Sequence, residues 1–270
     1  MSPAELNGWL TEELAAFPGK VSLLMVDLTS GRDLHAIHAD VAVSSASTIK
    51  LPILLTAFEQ IEQGRLALRQ PVPVPEESIL PDTRVFEPEN RRDTYPLQEL
   101  LYWMITDSDN TATNALITLL GMDAVNDLCR RWGAASTVLQ REMLDFDALA
   151  AGRNNLTSAR DQYRLYAELH RRVLLGSPGI WPLALDPLLR QRCRDTFLRY
   201  LNGPITLAHK TGGLDHVNHD AGLFLDGEKP YYLGIFTWDG PALDGESFQK
   251  RFIGKLARTI YQTYHGAPSV

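Results

Sequence analysis

The stretch Ser44–Leu55, SSASTIKLPILL, supports two readings. Ser47 stands three residues before Lys50 at the head of an apolar run, which is the pattern of an ordinary helix start. It is also the spacing that puts a hydroxyl and an amine on one face of a helix. A serine is a weak nucleophile until a neighbouring base takes its proton. A lysine can be that base only when burial or a nearby cation lowers its pKa from about 10.4. The free N–H groups of a helix start would favour negative charge developing beside Ser47. The spacing alone proves little, because a chain of this length holds roughly one S-x-x-K by chance. Ser247–Lys250 is a second case, read as an N-cap followed by a solvated lysine.

Composition bounds what such a site can serve. The chain has 270 residues, 44% of them hydrophobic, enough for one large domain or two closely packed ones. With 33 acidic and 26 basic residues the net charge is -7, and no dense Lys/Arg block offers a nucleic-acid surface. No apolar run reaches the about 18 to 20 residues that span a bilayer. The opening MSPAELNGWLTEELAAF lacks the basic head and apolar stretch of a signal peptide. The sequence as written predicts a cytoplasmic monomer without membrane contact, or a periplasmic or secreted protein if a leader precedes it. Cys129 and Cys193 are too few for a disulfide framework and are expected as buried thiols on helix faces. The histidines show no metal-ligand spacing, so neither metal nor cofactor is expected.

The periodicity changes along the chain. An amphipathic helix carrying Leu6, Trp9, Leu10 and Leu14 precedes a hairpin of VSLLMVD and LHAIHAD. Helical repeats follow at Leu97–Ile105, Ala115–Leu120 and Met122–Trp132, with further helices expected over Ser158–Leu175 and Pro187–Tyr200. Strands return in PITLAHKTG, DAGLFLD and YYLGIFTW, before a last helix with Phe248, Phe252, Leu256 and Ile260. QPVPVPEESILPDTRVFEPEN and FDALAAGRNN read as loops. The pattern predicts an α/β (α+β) fold: residues 1–43 and 202–270 form one antiparallel sheet flanked by helices, and residues 44–201 form an inserted helical region carrying Ser47. A cleft is expected where the two meet.

Two further strings stand beside Ser47 and Lys50. Ser108-Asp109-Asn110 follows a strong amphipathic helix, and Lys210-Thr211-Gly212-Gly213 ends a predicted strand. Together and in this order the three motifs resemble the signature of the serine β-lactamases and penicillin-binding proteins. The likeness is nearest to class A β-lactamases and extends from about Val21 onward. By position, the resemblance implies that Ser47 attacks an amide carbonyl and Lys50 takes its proton. Ser108 and Lys210 would pass a proton to the leaving nitrogen. The backbone N–H groups of Ser47 and Gly213 would form the oxyanion hole, and Asn110, Thr211 and Gly212 would bind substrate.

The sequence departs from the family at two places. Where class A enzymes carry Arg-x-Glu, this chain has Arg141-Glu142-Met143, and methionine cannot take a proton from water. Glu142, Asp145 or Asp147 would have to serve as the deacylation base instead, while Asn114 and Asn155 match positions that tie this loop down. The arginine usual on the strand after K-T-G is also missing, leaving His219 as a substitute for holding the substrate carboxylate. The expected function is a serine hydrolase working through an acyl-enzyme, foremost a β-lactamase with slow deacylation. The alternatives are a D-amino peptidase, amidase or esterase, and a module that is acylated once and stays so. The only partner implied is a small-molecule substrate.

Overall fold

The computed structural model describes residues 1–176, 179–241 and 245–265; at positions 3, 90 and 245–247 the description covers the backbone alone. Helix α1 (Pro3–Ala16) starts at a capping box, in which Ser2 accepts from Glu5 N while Glu5 accepts from Ser2 N. β1 (Lys20–Asp27) and β2 (Asp33–Ile37) form the expected hairpin. β3 (Val43–Ser44) leads into a 3-10 turn, Ala46–Ile49, that runs directly into α2 (Lys50–Glu62). Within the Pro-rich segment, β4 (Pro71–Pro73) pairs with β5 (Thr94–Pro96). α3 (Leu97–Thr106), α4 (Asn110–Leu120) and α5 (Met122–Arg131) occupy the predicted repeats. α6 (Phe146–Ala150) is a short helix inside FDALAAGRNN, a stretch read as loop, and Asp145 caps it by accepting from Ala148 N. β6 (Leu156–Thr157) pairs with β3, and α7 (Ala159–Leu175) begins at the expected cap, Ser158.

The expected helix over Pro187–Tyr200 is replaced by α8 (Trp181–Leu189). Pro182 fits its first turn, where a missing N–H costs nothing. Beyond Leu189 the chain is pulled aside: Arg192 N donates to Thr106 O at 3.1 Å and Gln191 Nε2 to Ile105 O at 2.8 Å. Residues 190–196 are thus tied to the C-terminus of α3. Cys193 lies in this loop, half-buried, rather than on a helix. Cys129 does sit buried on α5, and burial pushes its thiol up to about 12.

β7 (Leu207–Leu214), β8 (Val217–Phe224) and β9 (Tyr231–Trp238) complete an antiparallel sheet of order β2-β1-β9-β8-β7, before the final helix α9 (Gly245–His265). Strands from both ends of the chain therefore make one sheet. Both of its faces are covered, which explains the unbroken apolar runs. Along β1, Leu23 and Met25 join a core with α1 and α9, while Leu24 and Val26 join the core of the helical block. At the centre of that block α2 is buried from Lys50 to Glu59, as expected of a helix apolar nearly all round. Lys250, on α9, pairs with Asp195 at 2.8 Å instead of standing in solvent; the Ser247 side chain lies outside the described residues.

One buried network holds the 190–196 loop against the sheet. The Asp220 carboxylate, fully buried on β8, accepts from Thr196 Oγ1 at 2.5 Å, from Phe197 N at 3.1 Å and meets His209 Nδ1 at 2.8 Å. Asp220→Ala leaves those partners unsatisfied and should lower the urea-unfolding free energy by about 3 kcal/mol. Asp33→Ala, which breaks the more exposed pair with Arg160, should cost about 0.5 kcal/mol. Equal losses would remove this network from the account.

Candidate active site

Ser47 lies in the 3-10 turn, where side chains three apart eclipse, with Lys50 opening α2. Ala46, just before it, has φ 43°, a left-handed value that costs a non-glycine residue energy and shapes the turn. β7 presses against this turn. A Cβ added at Gly212 would sit 3.1 Å from Ala46 Cβ, Ser45 O and Ser47 N, so only glycine lets the strand approach this closely. β7 is the sheet's edge strand, and alternate N–H groups on such an edge are unpaired. Gly213 lines the cleft there with Ser47, Ser108, Asn110 and Thr211.

The turn after α3 brings in the second motif. Ser108 has φ 57°, which points its carbonyl and its hydroxyl at the same amine. Lys50 Nζ lies 2.6 Å from Ser108 O, 2.7 Å from Asn110 Oδ1 and 3.1 Å from Ser108 Oγ. Lys210 Nζ reaches the same hydroxyl at 3.0 Å and Thr211 O at 2.9 Å. One serine hydroxyl thus sits between two lysines that are both fully buried. Burial first, then the charge of Lys210, holds the Lys50 amine well below the usual lysine range, against the pull of Asp109 and Asp82. Burial also brings Lys210 down, to about 8, leaving it mostly charged at neutral pH.

This geometry suits a neutral Lys50. Its two N–H bonds match the two short contacts, and its lone pair then faces Ser108 Oγ, into which Lys210 donates. The sequence reading expects Lys50 to hydrogen-bond Ser47; the resting structure commits that amine to residues 108 and 110. No hydrogen bond holds the Ser47 hydroxyl among the described residues. Contacts of this kind commonly tighten only with substrate in place.

Two expected roles, carboxylate binding by His219 and deacylation by Glu142, Asp145 or Asp147, are given to side chains that the structure places outside the cleft lining. His219 does not face the cleft. It is fully buried behind the cleft, on the face of β8 that packs under the 44–47 turn and against Phe236, with Nδ1 2.7 Å from Asn218 O and Nε2 2.7 Å from Ser44 O. Burial lowers its pKa to about 4, against two backbone carbonyls that raise it, and with both ring nitrogens turned to those carbonyls the ring has none left for a substrate carboxylate. His216 lies on an exposed turn, bonded to Gly240 O. Asp145 is spent on capping α6, and neither it nor Glu142 or Asp147 lines the cleft. Met143 is held in place through its backbone, donating to Asn114 Oδ1 and accepting from Asn114 Nδ2, while its side chain is buried. Asn155 clamps residues 140 and 141 in the same way. The asparagines hold the loop, and no carboxylate comes with it.

The cleft, of ≈ 860 Å³, contains groups that the motifs do not indicate. Asn218 lines it, 1% exposed, with both amide atoms unpartnered. Asp82 enters from the Pro-rich loop, and Arg192, Cys193 and Arg194 from the segment tied to α3. Gly212→Ala should shift the 45–47 turn from β7 by a few tenths of an ångström and slow acylation of the protein by about 10-fold, less than the ~100-fold that a displacement near 1 Å costs. Thermal stability should change little. Stopped-flow acylation with an unchanged rate would contradict the close packing.

The profile of the beta-lactamase enzyme family matches residues 5–264. A beta-lactamase regulatory protein of Streptomyces cacaoi is 25% identical over 285 residues, covering 88% of this chain and 91% of that protein. A beta-lactamase of Streptomyces fradiae is 34% identical over 154 residues, 56% of this chain and 50% of that one. Among solved structures, a mutant of PBP-A in an acyl-enzyme complex with penicillin G aligns with a TM-score of 0.84, 26% identity, and coverage of 97% of this chain and 96% of that one. With a fold of that type, the three motifs gathered at one cleft and a family match spanning nearly its whole length, this chain belongs to the beta-lactamase enzyme family.

Proposed function

We propose that the protein is a class A-like serine β-lactamase that acylates readily and deacylates slowly. The observation that carries this is the meeting of Lys50, Ser108 and Lys210 within hydrogen-bond distance beside Ser47. Ser47 Oγ attacks the lactam carbonyl while Lys50, kept neutral by burial and by Lys210, takes its proton. The developing oxyanion is received by the N–H groups of Ser47 and Gly213, where loss of one such donor costs about 3 kcal/mol. The proton passes from Lys50 through the Ser108 hydroxyl to the departing nitrogen, and the charge of Lys210 supports that transfer. Thr211 and the unpartnered Asn218 amide receive the substrate carboxylate in the place first assigned to His219.

Deacylation is a different matter. Buried Met143 supports a second reading, in which the acyl group persists and the protein acts as an acylated-once binding module. Intact-mass spectrometry on mixing with a chromogenic cephalosporin separates the two. The β-lactamase reading expects continuous colour with a transient adduct, and the binding reading expects one equivalent of colour and a lasting adduct. Ser47→Ala should give neither. Met143→Glu should supply the missing base and speed loss of the adduct by about 100-fold, within the usual range for a placed general base. An adduct on Ser47→Ala protein would overturn both readings.

A further inference from the structure

Among the described residues, the carboxylates lining the cleft are Asp82, Asp107, Asp109 and Asp195. Three of them are already engaged. Asp107 pairs with Arg192 at 2.6 Å and Asp195 with Lys250 at 2.8 Å. Asp109 caps α4 through Ala112 N and accepts from Thr83 Oγ1 at 2.5 Å. Asp82 differs. It is exposed, its Oδ2 accepts from the neutral Asn110 Nδ2 at 2.6 Å, and among the described residues no lysine, arginine or histidine nitrogen lies within ion-pair distance of it.

Its position is fixed from both sides. Leu80 N donates to Thr111 Oγ1 at 2.9 Å and Thr83 Oγ1 to Asp109, so the loop is fastened to the start of α4 on either flank of residue 82. The carboxylate is therefore held against Asn110, which the family resemblance assigns to holding the amide of the substrate's acyl side chain. Arg84, on the same loop, and Arg194, across the cleft, line the space without ion-pair partners among the described residues. Asp82 thus stands in the cleft beside Asn110 with no ion-pair partner among the described residues, Arg84 included, and the wall around Arg194 offers a positive charge.

We infer that this cleft selects acyl donors carrying a protonated amine on the acyl half, with Asp82 as the counter-charge beside Asn110. The inference rests on the acylation reading above and adds a substrate class to it: zwitterions, with the ammonium on the acyl side and the carboxylate on the leaving side. A bound ammonium also offsets the negative field that Asp82 projects toward Lys50, which favours the neutral amine needed for attack. The preference should therefore appear in the acylation rate constant as well as in binding.

Ampicillin and penicillin G test this directly, because they differ by one amino group on the acyl chain. Their acylation efficiencies are measured by intact mass and stopped flow for the parent protein and for Asp82→Asn, which keeps an acceptor for Asn110 and removes the charge. The ratio of ampicillin to penicillin G should fall about fivefold in the variant, the size expected for a partly solvated charge pair. If the carboxylate merely positions Asn110, both compounds change together and the ratio holds, which overturns the inference. In the parent protein the ratio should also decline as pH rises through about 7.7 to 8.0, where an α-amino group loses its proton. A flat ratio counts against the inference even if the variant does not fold. Adducts with both compounds at an unaltered ratio defeat this inference alone; no adduct with either defeats the acylation reading and this one together.

Discussion

Two lysine amines, each removed from water, meet at one serine hydroxyl. Lys50 Nζ and Lys210 Nζ stand 3.1 and 3.0 Å from Ser108 Oγ. Burying two like charges this close together is unfavourable enough that the pair does not hold both protons at neutral pH. Which amine gives its proton up is decided by surroundings. Lys50 carries the larger depression, with burial and Lys210 both acting on it, while Lys210 stays near about 8 with Asp220 and Cys193 opposing its burial. Two chemically identical side chains thus differ in how readily each gives up its proton.

The rest of the fold holds that meeting in place. Lys50 is anchored by a helix buried nearly all round, Lys210 by an edge strand, and Ser108 by a left-handed turn between two helices. These three elements come from distant parts of the chain, and the sheet assembled from both termini brings them to one cleft. Gly212 sets the distance between strand β7 and the turn that carries Ser47. The 190–196 loop closes the far wall through contacts to α3 and to Asp220.

Much of this was legible in the sequence, for a physical reason. Ser47 with Lys50, Ser108 to Asn110 and Lys210 to Gly213 are short strings on single turns or strands, so covalent spacing places their backbones, while the Lys50 amine turns to residues 108 and 110 and away from the hydrogen bond with Ser47 that spacing suggested. What could not be read depends on tertiary choices. Asn218 and His219 are neighbours on a strand and face opposite ways. Because β8 is buried on both faces, no hydrophobic alternation reveals which of them meets the cleft. Asp82 belongs to a Pro-rich stretch with no periodicity, and its place is set by Thr111 and Asp109, far along the chain. The expected helix over 187–200 fails for a similar reason, as Ile105 and Thr106 capture the segment. Asp145 looked like a free acid, but it caps α6, and the five-residue span of that helix is too short to stand out by pattern.

The central claim is that Lys50 is neutral near physiological pH because of burial and its neighbour. The direct test is an NMR titration of isotope-labelled lysine side chains, with the Lys50 signal assigned by Lys50→Arg. The account predicts that Lys50 titrates well below the ordinary value of about 10.4 and moves upward when Lys210→Met removes the neighbouring charge. A Lys50 signal that titrates like those of the surface lysines, or one that Lys210→Met leaves in place, would contradict it.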